Sequence, residues 1–94
     1  MNSIWSLDEI GDLTLNHPFT EFKKLFYSDH WGGVNADGKR IRSGKRVYAK
    51  INGPTWRHIH IAADEAIRKS GDEHHIFIED FTIKGDKLYL GTGS

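Results

Sequence analysis

Ninety-four residues with zero formal charge and no cysteine leave room for one domain, spanning 1–94. They exclude disulfide staples, thiolate nucleophiles and thiolate metal sites. An apolar fraction of 37%, with 12% aromatic residues, supports a thin core in which large rings supply much of the buried area and little is left to line a deep substrate cavity.

Taken in chain order, Ser6-Leu7-Asp8-Glu9 fits a capping box and predicts a short helical turn that Gly11 stops. A firmer helix is predicted after Asn16. Pro18 suits its first turn, and Phe19, Phe22, Leu25 and Phe26 form an apolar stripe, with Glu21, Lys23 and Lys24 pointing away. Residues 28–38, rich in Gly, Asp and Asn, read as a loop carrying Trp31. A hairpin follows, with Lys39–Arg42 and Lys45–Ile51 flanking Ser43-Gly44. In its second arm Val47, Ala49 and Ile51 alternate with polar or charged positions, the period of a half-buried strand. Asn52-Gly53-Pro54 ends it.

Residues 55–70 admit two readings. As one helix, Thr55 caps it, Trp56, Ile59, Ala63, Ala66 and Ile67 share a face, and Gly71 ends it. As a strand, Trp56, His58 and His60 would share a face and helix would start near Ala62. The single helix is the preferred reading. The last quarter predicts a second hairpin, His75–Lys84 and Lys87–Leu90 across Gly85-Asp86, with 91–94 frayed. The expected fold is α+β: about four antiparallel strands in two hairpins, two helices packed on one face, order helix-hairpin-helix-hairpin.

Charge is segregated along this chain. Residues 1–38 carry net −4, residues 39–57 net +7 with no acid, and residues 58–94 net −3. Such a block points to an anionic partner. The candidate surface is the first hairpin, where Lys39, Arg40, Arg42, Lys45, Arg46, Tyr48 and Lys50 supply cations and a ring to phosphates and bases. The competing reading is a solvated sheet face neutralised by its acidic flanks.

Six histidines stand at 17, 30, 58, 60, 74 and 75. His58 and His60 share a metal only on a strand, and on a helix they lie about 200° apart, so neither metal nor cofactor is expected. General acid–base chemistry would need a pair such as His75 with Glu79 or Asp80 in a pocket that shifts their pKa values. Gly32-Gly33 alone is too weak to be a phosphate loop. Phe19, Phe22, Phe26, Phe77 and Phe81 are assigned to the core; Trp5, Tyr27 and Trp31 would mark an interface if exposed together.

The expected function is a non-enzymatic binding module that contacts an anionic or protein partner, with weak binding of nucleic acid or another polyanion. Self-association as a symmetric dimer is expected because Ile76-Phe77-Ile78 is apolar on both strand faces. The alternatives are a small His/carboxylate or metal-dependent enzyme, and a structural subunit or inhibitor of another protein. Lack of cysteine, of a leader and of an apolar run of spanning length predicts a cytoplasmic protein with no membrane partner.

Overall fold

The structure, a computed structural model, describes residues 4–5, 12–28, 31–42, 45–71 and 77–93. Among the described residues there are seven strands, β1 (Ile4–Trp5), β2 (Lys24–Tyr27), β3 (Trp31–Val34), β4 (Arg40–Arg42), β5 (Val47–Lys50), β6 (Phe77–Lys84) and β7 (Lys87–Gly93), and one helix, α1 (Trp56–Ser70). Five strands form a mixed sheet in the order β1-β6-β7-β2-β5, and β3 and β4 pair separately.

The architecture corrects the helix-hairpin-helix-hairpin expectation in three places. First, residues 18–26 do not form a helix. The chain turns through Phe22 N–H to the Phe19 carbonyl and enters β2, whose residues alternate between exposed or half-buried and buried positions. The stripe Phe19, Phe22, Leu25, Phe26 matched a helical period by coincidence. In β2 it is Leu25 and Tyr27 that share the buried face, and pairing with β5 and β7 on either side outweighs local propensity.

Second, the basic hairpin is divided between two sheets. β4 pairs with β3, and β5 pairs antiparallel with β2. A nearer turn takes β4: the Asn35 side chain accepts the Asp37 and Lys39 N–H groups, and Asn35 N–H donates to the Lys39 carbonyl at 2.9 Å. Asn35-Ala36-Asp37-Gly38 thus closes a hairpin inside the predicted loop, and Trp31 stands on a strand. Third, the sheet is not all antiparallel, since β2–β7 and β1–β6 run parallel. A parallel pair needs a long crossover, and the stretch between β2 and β7 that includes α1 supplies one.

Two elements match the sequence closely. α1 runs from Thr55 as N-cap to a left-handed Gly71. β6 and β7 form the last hairpin across Gly85-Asp86, but β7 continues, past a register shift between Ile78 and Asp80, to Gly93 instead of fraying after Leu90. The capping box at Ser6–Glu9, the Ser43-Gly44 turn, His30, and the segment 72–76 with His74, His75 and Ile76 lie outside the described residues.

The core lies between α1 and one face of the sheet. Ile59, Ala62, Ala63, Ala66 and Ile67 meet Leu25, Val47, Ala49, Ile78, Leu88 and Leu90. Three alanines on the buried helix face let it approach the strands closely. The ring group Phe19, Trp56 and Phe81, with centroids 5.7–6.3 Å apart, closes one end. Ile78 is fully buried within the single chain. Among the described residues no helix is long and apolar enough to cross a membrane.

Candidate anion-binding face

One helix covers one face of the sheet, and strand alternation sends every second residue to the other. On β2 the buried Leu25 and Tyr27 leave Lys24 and Phe26 opposite. On β5 the buried Val47 and Ala49 leave Tyr48 and Lys50, with Arg46 just before the strand. On β7 the buried Leu88 and Leu90 leave Lys87 and Tyr89.

Register aligns these side chains into rows across the strands. Phe26 stands opposite Tyr48 on one side and Tyr89 on the other, and Tyr89 stands opposite Thr82. Two residues along, Lys24 stands opposite Lys50, and Lys87 opposite Lys84. The Leu25–Leu88 register brings Lys24 and Lys87 to the same level. The result is a lysine row, Lys50-Lys24-Lys87-Lys84, beside a ring row, Tyr48-Phe26-Tyr89. Three interstrand spacings make the lysine row about 14 Å long.

The cations lie against the rings. Lys24 Nζ is 4.7 Å from the Tyr48 ring centre, Arg46 Cζ 5.1 Å from Phe26, Lys84 Nζ 5.3 Å from Tyr89, and Lys87 Nζ 5.9 Å from Phe26. Each such exposed contact is worth about 0.5–1 kcal/mol. Arg46 also donates to the Tyr89 hydroxyl at 3.3 Å, tying β5 to β7 across β2. Lys69, in the last turn of α1, reaches the sheet edge and donates to the Tyr48 carbonyl at 2.9 Å.

Three acids border this face: Glu21 and Asp86 line its cleft, and Asp80, on β6 and two residues from Thr82, stands opposite Gly91. Asp86 pairs with Lys87 at 3.1 Å, and the Lys87 ammonium holds its carboxyl below the usual carboxylate range. Among the described residues no carboxylate pairs with Lys24, Lys50, Lys84 or Arg46. A shallow cleft of about 260 Å³ opens at the Lys24, Phe26 and Lys87 end.

The predicted site residues divide between two surfaces. Arg46, Tyr48 and Lys50 join the face just described, and Lys45 precedes them at an exposed position. Arg40 and Arg42 belong to β4, with Lys39 in the turn before it, on the separate β3–β4 ribbon. The sequence reading missed Lys24, Lys84, Lys87, Phe26 and Tyr89. A signal for them was present. Lys24-Leu25-Phe26 and Lys87-Leu88-Tyr89 repeat a cation-apolar-aromatic triplet, and Tyr48-Ala49-Lys50 is the same triplet reversed. Parallel β2 and β7 need the same order and antiparallel β5 the opposite one.

His17 and His58 serve local structure. His17 Nδ1 accepts the Phe19 N–H at 3.0 Å, and its Nε2–H donates to the Gly53 carbonyl at 3.3 Å. Both nitrogens are engaged in the neutral ring, and burial lowers its pKa. His58 takes the third helical position of a capping box, with Nδ1 2.7 Å from the Thr55 hydroxyl. The first N–H groups of α1 are not open to an anion: Trp56 N–H donates to the Leu15 carbonyl and Arg57 N–H to that of Leu13. A larger cleft of about 400 Å³ lies beside His17, Lys23, Ile51 and Gly53. Among the described residues no three His, Asp or Glu side chains gather as metal ligands. His58 and His60 both lie on α1, and Asp64 pairs with Arg68 at 3.1 Å. No protein-family model, curated protein or solved structure matches this chain.

Proposed function

We propose that this protein is a non-enzymatic binding module that takes polyanions, nucleic acid foremost, on the sheet face opposite α1. The observation that carries this reading is the row Lys50-Lys24-Lys87-Lys84 beside Tyr48, Phe26 and Tyr89. Like charges directly opposite on neighbouring strands repel, and that repulsion offsets part of what the lysines gain by lying over the rings. A phosphate backbone turns that cost into attraction by releasing its own counterions. The basic block of residues 39–57 contributes Arg46 and Lys50 to this face, and the β3–β4 ribbon carries the rest of its positive charge apart from Lys45 and Arg57.

The test is a titration of the full chain against heparin, duplex DNA and single-stranded oligonucleotides over a range of salt. Binding of about micromolar strength is expected at low salt, with a log-affinity slope near −3 if four phosphates are neutralised. The Lys24→Ala/Lys50→Ala variant should reduce the slope by about one to two units for every polyanion. Failure of all polyanions to bind at low salt would reject the reading.

A further inference from the structure

The ligand class of this face can be narrowed, resting on the polyanion reading above. We infer that it is single-stranded nucleic acid, with the phosphates along the lysine row and the bases on Tyr48, Phe26 and Tyr89. Three features favour a single strand over a duplex or an acidic polysaccharide.

The first is the line of rings. Centroids are 5.7 Å apart from Tyr48 to Phe26 and 5.8 Å from Phe26 to Tyr89, with the rings tilted 46° and 37° to one another, a row of aromatic side chains across three strands. Tyr48 is 42% exposed. In a duplex the base faces are already stacked on one another and leave such rings nothing to take; an unpaired strand offers them freely.

The second is the offset between rows. Phosphates of a single strand lie along one line with their bases to one side, and here cations lie along one line with rings to one side. The backbone positions of the two rows are two residues apart along each strand, about 7 Å, and the lysine side chains lean from theirs over the rings. A duplex of two phosphate lines would have its second line over rings.

The third is the placement of the ammonium groups over the rings. Lys24 lies over Tyr48, Arg46 and Lys87 over Phe26, and Lys84 over Tyr89, so in the free protein cations occupy the ring faces. A base stacked on a ring gains more than an exposed ammonium over that ring does. Arrival of a base therefore displaces the cation and frees it for the adjacent phosphate. Three rings and four lysines give a footprint of about four nucleotides, read without base preference because every base has a π-face.

The experiment compares a labelled single-stranded oligonucleotide, its annealed duplex and heparin on the wild-type chain and on Tyr48→Leu/Tyr89→Leu. The single strand should bind about tenfold more tightly than the duplex at equal salt. The double variant should lose about tenfold or more for the single strand and change less than about twofold for duplex and heparin. Tyr48→Leu alone should lose part of this, and Tyr48→Trp, with a larger ring, should bind the single strand at least as tightly as wild type; these two serve if the double variant melts at the assay temperature. Equal affinity for strand and duplex, unmoved by the ring substitutions, would overturn this inference and leave the polyanion reading standing. Absence of binding to all three ligands would overturn both.

Discussion

His17 is 2% exposed and holds the Nε2–H tautomer, because Nδ1 must accept the Phe19 N–H while Nε2 faces the Gly53 carbonyl. Protonation would aim an N–H at an N–H. Burial, reinforced by the neighbouring His58 and opposed by the Gly53 carbonyl, lowers the pKa below the ordinary histidine value. The unfolded chain then takes up a proton that the folded chain resists. Stability is full above about pH 6.5 and is lost as pH falls from there toward the folded-state pKa. Thermal midpoints measured across this window should fall less steeply for His17→Gln, whose amide can replace both hydrogen bonds without titrating; parallel pH profiles would refute the assignment. Gly53, in the same knot, has no space for a side chain, since a Cβ there would strike the His58 ring. Gly53→Ala should cost about 1–3 kcal/mol. The loss should shrink in a His58→Ala background, a coupling that a double-mutant cycle by urea unfolding will read.

At the scale of elements, the best-determined piece is α1 and the least legible is β2. The helix was the preferred of two readings because most of its signals agree: an i, i+3/i+4 apolar face from Ile59 to Ile67, Thr55 before it, and Gly71, left-handed in the structure, after it. In β2 the signals conflict. Phe19, Phe22, Leu25 and Phe26 imitate a helical stripe, whereas the Lys24-Leu25-Phe26-Tyr27 alternation is only four residues long. Leu25 decides the matter by its position, fully buried with its backbone between Ala49 and Leu88. Leu25→Ala should cost about 2–5 kcal/mol, a large part of the stability of so small a domain. Chemical denaturation measures that directly, and a loss under about 1 kcal/mol would contradict the central placement of β2. The β4–β5 pairing failed for a related reason. Both arms read correctly as strands, but partner choice went to the closer Asn35–Lys39 turn for β4 and to β2 for β5.

For the whole molecule, the zero net charge conceals one sheet face that is strongly positive. That arrangement should be visible as a conflict between stability and binding. Lys50 stands opposite Lys24, and removing its charge relieves a repulsion of about 0.2–1 kcal/mol. Lys50→Gln should therefore leave the thermal midpoint unchanged or raise it slightly while weakening polyanion binding. A variant that melts earlier and binds as before would contradict the idea that the lysine row serves a ligand. Added polyanion should raise the wild-type midpoint in proportion to its affinity, more than it raises that of Lys50→Gln.

The sequence by itself determined the helical stretch that starts at Ala62, favoured its extension back to residue 56, and determined the last hairpin turn and the presence of a cationic block with no acid in it. Each of these is local: it depends on composition, on one period or on one turn. Tertiary structure decided which strands become neighbours, and that choice depends on contacts between residues far apart in the chain. Lys24, Lys50, Lys84 and Lys87 come from three separate stretches of sequence, and only the β2–β5, β2–β7 and β6–β7 registers bring them into one row. The same registers turn three scattered rings into one surface. Alternation fixes which side of a strand a residue occupies; only pairing fixes what stands beside it.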